Sequence, residues 1–532
     1  MTLKQGSSPS QDGVVESDRP IGVRNDPISV AVNLHPFQGE KAKEHFKTTD
    51  PGVDVTRLPV IGKFLARAMK DRKFQFLLIV PNQIIFWIVI AVGIFGVTDP
   101  GRNFGPAITW YLWFCLVFVM MVVVGRAWCS MCPFGGFGEW IQRKTFFKRT
   151  QKALGLGRKV PESWAGYGLV ISVATFIFLT FIEEYFNIAG PGAPIATSFM
   201  VIGIVTTALL SFLVFERRSF CRYICPLSSL IGTVGAMGSV AGFRTRDRQQ
   251  CLSCPTKDCM RGGEEGYGCP WYTWPGSADS NLLCGICSEC YKACPYDNVG
   301  LFVQKPLTSV VAPVRRRYDV AIAVLVLWGL VIFQQVNALN WYASLDGWLN
   351  RATGMAYPNP IDYIGIIALV AAATAGVVAL IRVIGGGARR STAPDAAGGS
   401  TVASKGGLRA WLMPVSYGLI PVVGADYLAR QLPKFFKHAP RVVSAVAGPF
   451  GFHPGLYNTR LAGNGAIVAV QVGVMALGTV VALWTMWKTV GRDVLAGGLG
   501  TRPAVVRIAA TGLVLACGIA AAVLYVAMHA AS

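Results

Sequence analysis

The stretches RAWCSMCPFGGFGEW (126–140) and RSFCRYICPLSSLIG (218–232) decide how this chain is read. Each runs arginine, any residue, aromatic, cysteine, then a second cysteine and a proline. The first holds Arg126, Trp128, Cys129, Cys132 and Pro133; the second holds Arg218, Phe220, Cys221, Cys225 and Pro226. The copies lie 92 residues apart, and each closes an apolar stretch of about the 20 residues that a helix needs to cross a bilayer. Each copy therefore reads as a two-span hairpin, and the repeat predicts a four-helix core that brings two cysteine pairs to one membrane level. The spacings differ, two intervening residues against three, which argues against strictly symmetric ligation. The alternatives are a third four-thiol site, two separate dithiols, or inert helix ends.

Outward from this core, hydrophobic residues make up 53% of the 532-residue chain and charged residues only 14%, with a mean hydropathy of +0.46. Apolar stretches recur at 74–97, 104–125, 164–187, 195–215, 318–338, 361–385, 410–428, 465–487 and 506–528. Pro414, Pro421 and Asp426 interrupt the seventh. The expected fold is an all-α integral membrane protein of eight or nine transmembrane helices, with a small cytoplasmic two-cluster ferredoxin-like domain between helices 4 and 5. The expected organisation has six parts. A disordered polar cytoplasmic tail and an amphipathic segment (1–73) precede the four-helix core (74–243) and the cysteine-rich domain (244–316). Two further helices (317–386), a Gly/Ala/Ser linker (387–409) and a C-terminal anchor of two to three helices (410–532) follow. The N-terminus lacks the apolar core of a signal peptide, and LPVIGKFLARAMKDRKF (58–74) fits a membrane surface.

A net charge of +21 would point to nucleic acid in a soluble protein. Here the charges flank spans and are read as orienting them. Arg143, Lys144, Lys148, Arg149, Lys152, Arg158 and Lys159 fill one loop. Arg217, Arg218, Arg222 and the run Arg315, Arg316 and Arg317 bracket another. Both loops are expected in the cytoplasm, with the N-terminus. The loop 429–464 carries Arg430, Lys434, Lys437, Arg441 and Arg460, yet the span count puts it outside. Either span seven does not cross, or this basic patch faces an outside partner.

Twelve of the 14 cysteines fall in four groups. In a reducing compartment clustered thiols point to metal or redox ligands; Cys115 and Cys517, alone in apolar spans, receive no role. Cys284, Cys287, Cys290 and Cys294, followed by Pro295, have the bacterial ferredoxin spacing for a [4Fe–4S] cluster, whose fourth cysteine serves the neighbouring cluster. The looser set Cys251, Cys254, Cys259 and Cys269, followed by Pro270, reads as the other half. Cys251, Cys254, Cys259 and Cys294 would then hold one cluster, and Cys269, Cys284, Cys287 and Cys290 the second. The alternative for 251–269 is a small zinc site. Glu183 and Glu184, at the outer end of span three, are a solvated pair or a proton exit beside a quinone pocket. None of His35, His45, His438, His453 and His529 lies well inside a span, so no haem b is expected.

With these motifs the chain resembles the membrane polyferredoxins of the NapH/NosR type over about residues 74–340, through CRYICPLSSLIG (221–232) and CGICSECYKACP (284–295). The resemblance implies a bacterial inner-membrane protein whose clusters face the cytoplasm. It would relay electrons between the quinone pool or a cytoplasmic donor and a partner oxidoreductase or cytochrome subunit, as a redox subunit and not a complete enzyme. Two [4Fe–4S] clusters are expected, with a further cluster or dithiol site at Cys129, Cys132, Cys221 and Cys225. The first motif departs from the family's longer Cys-x3-Cys spacing, and no flavin is expected because the outer flavin domain of NosR-like members has no counterpart. The related CcoG/FixG-like proteins give a second reading, copper handling during oxidase maturation, to which soft thiolates are suited; a zinc-stabilised membrane scaffold is a third.

Overall fold

A computed structural model describes residues 52–99, 101–146, 154–188, 194–313, 316–355, 357–386, 407–452, 454–496 and 498–531. The N-terminal tail with His35 and His45, the linker 387–406, Lys148, Arg149, Lys152, Arg315, His453 and the His529 side chain lie outside the described residues.

Among the described residues, nine helices are long and apolar enough to cross a membrane. We label the helices that matter here α1 Ile61–Lys70, α2 Lys73–Phe95, α3 Phe114–Val124, α4 Pro133–Arg143, α5 Gly168–Tyr185, α6 Pro194–Val214 and α7 Pro226–Gly235. There follow α8 Tyr318–Val336, α9 Asn340–Thr353, α10 Pro360–Ile384, α11 Leu408–Ala447, α12 Asn464–Val490 and α13 Pro503–Ala531. Most spans agree with the hydropathy reading to within a few residues; the second runs on through the first cysteine motif to Arg143, and the seventh departs furthest. There α11 runs for 40 residues and takes in much of the expected outer loop.

That length is unexpected for a segment holding Pro414, Pro421, Pro433 and Pro440, because an internal proline frees the carbonyl four residues back. Two of the freed carbonyls find other donors. Gln471 Nε2 donates to Ala429 O at 3.0 Å, and the Leu461 amide donates to Phe436 O at 2.8 Å. Nor is α11 peripheral. Its apolar window is 89% buried and that of α8 is 83% buried, against 22–39% in the other seven. The C-terminal half thus supplies a central helix of the bundle, packed on α8, α12 and the span carrying α3.

The cysteine-rich segment rests on a small antiparallel sheet in the order β1–β3–β2: β1 Val53–Asp54, β2 Val240–Thr245 and β3 Val299–Val303. Part of the expected N-terminal tail is therefore ordered, with Val53 opposite Val303. Helix α1 turns its Leu65 and Met69 toward this segment and leaves Ile61 and Phe64 exposed. Lys70 pairs with Asp297 at 3.0 Å, and Arg246 ties Asp54 to Asp297. Helix α9 lies between α8 and α10 in the chain. It exposes Trp341 and Trp348 and buries Tyr342 and Asp346.

Candidate functional site

The twin motifs end in the same local structure. Cys132 and Cys225 both cap a helix whose first residue is proline, α4 and α7. Proline suits that position because the first helical amide needs no partner within the helix, and the helix dipole there favours negative charge. The one-residue mismatch disappears in the winding. Phe220–Ile224 forms a π-helical turn in which the Cys225 amide donates to Phe220 O at 2.8 Å, so the extra residue is absorbed before the cap.

The two arginines of the repeat cross over. Arg126, from the first motif, donates through Nη2 to Ser228 O at 2.7 Å and Ser228 Oγ at 2.6 Å, on the helix that follows the second motif. Arg218, from the second motif, donates through Nε to Glu139 at 2.8 Å, on the helix that follows the first, and through Nη1 to Cys129 O at 3.2 Å. Both arginines are fully buried, and Glu139 also pairs with Arg143. Each hairpin thus holds the other's cysteine helix. The clasp places Cys221 within interaction range of Cys225, Cys132 and Cys129. A Cβ on Gly135 would meet Cys221 Sγ at 3.2 Å, so the small residue leaves the thiol its room.

The remaining cysteines gather in two further sets. Cys259 faces Cys251, Cys294 and Cys254, while Cys290 faces Cys269, Cys287 and Cys284. Cys259 also faces Cys269, and Cys129 faces Cys284, so the three sets form a series ending in the membrane core. N–H groups point at the sulfurs: Thr273 N to Cys269 Sγ at 3.2 Å, Asn298 N to Cys294 Sγ at 3.3 Å, Lys257 N to Cys254 Sγ at 3.4 Å and Phe243 N to Cys284 Sγ at 3.5 Å. Burial pushes the Cys221, Cys259, Cys269 and Cys290 thiols up. Such donors suit anionic sulfur, which a bound cation would have to stabilise here. Among the described residues no three Cys, His, Asp or Glu side chains converge on a single metal ion. A cubane, in contrast, meets its four cysteines at separate irons. The sets fit clusters better than one zinc or copper ion.

Arg217 donates to Cys269 O at 2.9 Å, Arg222 donates to Trp271 O, and the Arg126 guanidinium lies 4.7 Å from the Trp271 ring centre. These contacts tie the cysteine segment to the hairpins. They revise the charge reading, since Arg143, Arg217, Arg218 and Arg222 are buried structural groups and not free interfacial charges. The arginine in each motif was the signal for this role, but sequence could not supply its partner.

Below the hairpin cysteines lies a cavity of about 300 Å³. Its lining includes Cys129, Cys132, Cys221 and Cys225, and also Glu183, Arg430 and Lys434. The Cys225 carbonyl accepts from Ser172 Oγ at 2.7 Å near the start of α5, whereas Glu183 lies near its end. Eleven residues at 1.5 Å each place these levels about 16 Å apart. Sequence missed Arg430 and Lys434 as site residues. Arg430 reaches Glu184 at 3.4 Å and Gln334 O at 2.6 Å, and Lys434 reaches Glu183 at 3.8 Å. The acidic pair is therefore ion-paired inside the chain, and part of the expected basic loop is its partner. The His438 ring, on α11, packs at a tilt against Tyr111, with ring centres 4.8 Å apart. A second, more open groove between α5 and α6 shares Leu179, Met200, Ile204, Phe220 and Pro226 with the cavity wall.

Among the described residues the fold is helical, with nine membrane-length helices and three sets of four thiols. A family model described as a 4Fe-4S binding domain matches the chain twice, at residues 106–153 and 197–241. The matched segments contain the two cysteine pairs of the hairpins, and residues 251–294 fall outside both. The double match supports an iron–sulfur-binding protein. No curated protein and no solved structure matches the chain.

Proposed function

We propose that the chain is a membrane electron-transfer subunit that takes electrons from a quinol in the cavity and passes them through iron–sulfur sites to a partner oxidoreductase. The observation that carries this reading is the cavity itself, which has the four hairpin cysteines in one part of its wall and an acid–base pair in another. Cys129, Cys132, Cys221 and Cys225 would hold the site nearest the cavity. The second would rest on Cys269, Cys284, Cys287 and Cys290, and the third on Cys251, Cys254, Cys259 and Cys294. Clusters bound there would accept and donate single electrons.

The chain's own groups do the rest. A quinol leaving as quinone gives up two electrons and two protons, and Glu183, beside Lys434, is placed to take protons at the cavity wall. The groove between α5 and α6 offers a lateral path for an apolar tail. Trp271, buried between the second thiol set and the hairpins, fills the space between two sites and keeps water out. The exposed Lys63, Arg67, Lys73 and Lys144 lie toward the thiol face, which supports a cytoplasmic position for that face under the positive-inside rule.

The test is iron, sulfide, zinc and copper content of anaerobically purified protein, followed by mixing with a short-chain quinol while reduced-cluster EPR is recorded. About twelve irons and reduction by quinol are expected for three cubanes. About eight irons would leave the hairpin thiols without a cluster. Copper there beside two intact cubanes would favour the maturation reading, and zinc with little iron would sink electron transfer altogether.

A further inference from the structure

Three helices meet at a polar point deep in the bundle, and nothing in the relay described above uses it. Asp426 on α11, Gln335 on α8 and Tyr525 on α13 are 0%, 0% and 2% exposed. Asp426 Oδ1 accepts from Gln335 Nε2 at 2.6 Å and from the Tyr525 hydroxyl at 2.6 Å. The other two oxygens, Asp426 Oδ2 and Gln335 Oε1, are buried without a partner. Both are acceptors, so neither can satisfy the other as drawn.

One proton answers both. A carboxylic acid and a primary amide close an eight-membered ring of two hydrogen bonds, of which the amide-to-acid bond is already made. A proton on Oδ2 provides the return bond to Gln335 Oε1. Among the described residues no cation is paired with this carboxylate. The charged and titratable groups facing it are Tyr525 from α13 and Tyr427 and Arg430 from its own helix, while α8 presents Gln335. The Arg430 guanidinium is engaged one turn away by Gln334 O and Glu184. A buried carboxyl in this setting is far less costly neutral than ionised, and an ionisable group inside a span is a functional suspect by default.

We propose that Asp426 is a membrane-embedded proton-binding site, next to the cavity, which stores a proton and exchanges it with the Arg430–Glu184 end of the cavity during turnover. The proposal rests on the quinol reading only for its use in turnover, not for the bound proton. Transfer adds no electron. The proton leaves Oδ2, the carboxylate remains on its two donors, and a proton released from the cavity restores the acid.

The test compares the full-length protein with Asp426→Asn, in which two amides can close the same ring but no proton can exchange. Infrared spectra in water and heavy water should show a neutral carboxylic acid carbonyl band that shifts on deuteration in the parent and is missing in D426N. Cluster reduction by quinol should slow several-fold in D426N with a flattened pH profile, while dithionite-reduced EPR signals and thermal stability stay the same. Identical infrared spectra would overturn the proposal. So would a missing band with unchanged quinol kinetics, because Asp426 would then be only a structural tie. If the parent is silent to quinol although dithionite reduces it, the quinol reading fails and the infrared comparison alone decides the proton site.

Discussion

Replacing Glu139 with glutamine removes one charge from the clasp without changing its shape. Glu139 is 4% exposed, and it sits between Arg218 at 1% and Arg143 at 9%. Glutamine keeps the volume and one oxygen acceptor, so no cavity forms and the effect is electrostatic. Ion pairs on a surface are worth about 0.2–1 kcal/mol. Removing one partner of a buried pair instead costs about 3–5 kcal/mol, because the remaining charge stays desolvated. The near-complete burial of Arg218 puts Glu139→Gln in the second range. Thermal unfolding in detergent, followed by the loss of cluster absorbance, should show the change as a large drop in midpoint. The double variant Glu139→Gln with Arg218→Met should recover most of it, since it leaves no unpaired charge on that side. There is an electronic consequence as well. Arg218 faces Cys221 and Cys287, so an uncompensated guanidinium favours the reduced state and should move a reduction potential upward. A loss below about 1 kcal/mol would refute the clasp as a buried ionic tie. So would a double variant as unstable as the sum of the single ones.

Three further outcomes follow from the same geometry. Gly242 has φ +86° and its Cβ would lie 2.7 Å from Cys284 Sγ, so Gly242→Ala should abolish the reduced-cluster EPR signal of the site that holds Cys284 and spare the rest; the parent's full set of signals would show that the backbone tolerates the side chain. Cys290→Ser and Cys294→Ser, though four residues apart, should each remove a different cluster, which EPR of the two variants resolves. Asp297 is pushed up by its slight burial, but Lys70 and Arg246 outweigh this and hold it below the usual aspartate value. A lowered native value means that its stabilisation is complete above the unfolded value, about 3.9, and is lost as pH falls through the native one. The protection of α1 amides, taken relative to their intrinsic exchange rate at each pH, should therefore fall in acid, and should do so less steeply in Asp297→Asn.

The spans were legible because apolar length is written residue by residue, and the iron–sulfur class because a cysteine pair closes two of those spans. What was not legible depended on partners distant in sequence. Arg217, Arg218 and Arg222 look like orienting charges from their position at a span end, and only the fold shows them buried against Glu139, Cys269 and Trp271. The unequal spacing of the twin motifs counted against strictly symmetric ligation. Its resolution lies in a switch to π-helical hydrogen bonding at Phe220–Ile224, which no residue identity announces. Likewise the prolines of α11 read as interruptions, because the donors that replace their lost bonds, Gln471 and the Leu461 amide, come from later in the chain.

The place of α11 bears on what the C-terminal half is for. A helix that merely anchors a chain turns apolar side chains to lipid and needs no polar stripe. On α11, Tyr427, Arg430, Gln431 and Lys434 recur at i, i+3, i+4 and i+7, which puts them on one helical face. All four line the cavity that the hairpin cysteines also line. Polar groups at that depth are costly unless matched, and two of them are matched by Glu184 and Glu183 from the four-span core. Acid from the first half and base from the second therefore meet at a single cavity, and neither half closes it alone. Asp426 lies on the same helix, one turn before Arg430, so the group proposed to hold a proton and the group that pairs with the cavity acid move as one rigid element. On the proposed reading, the C-terminal half is the wall that gives an electron-carrying core a place to handle protons.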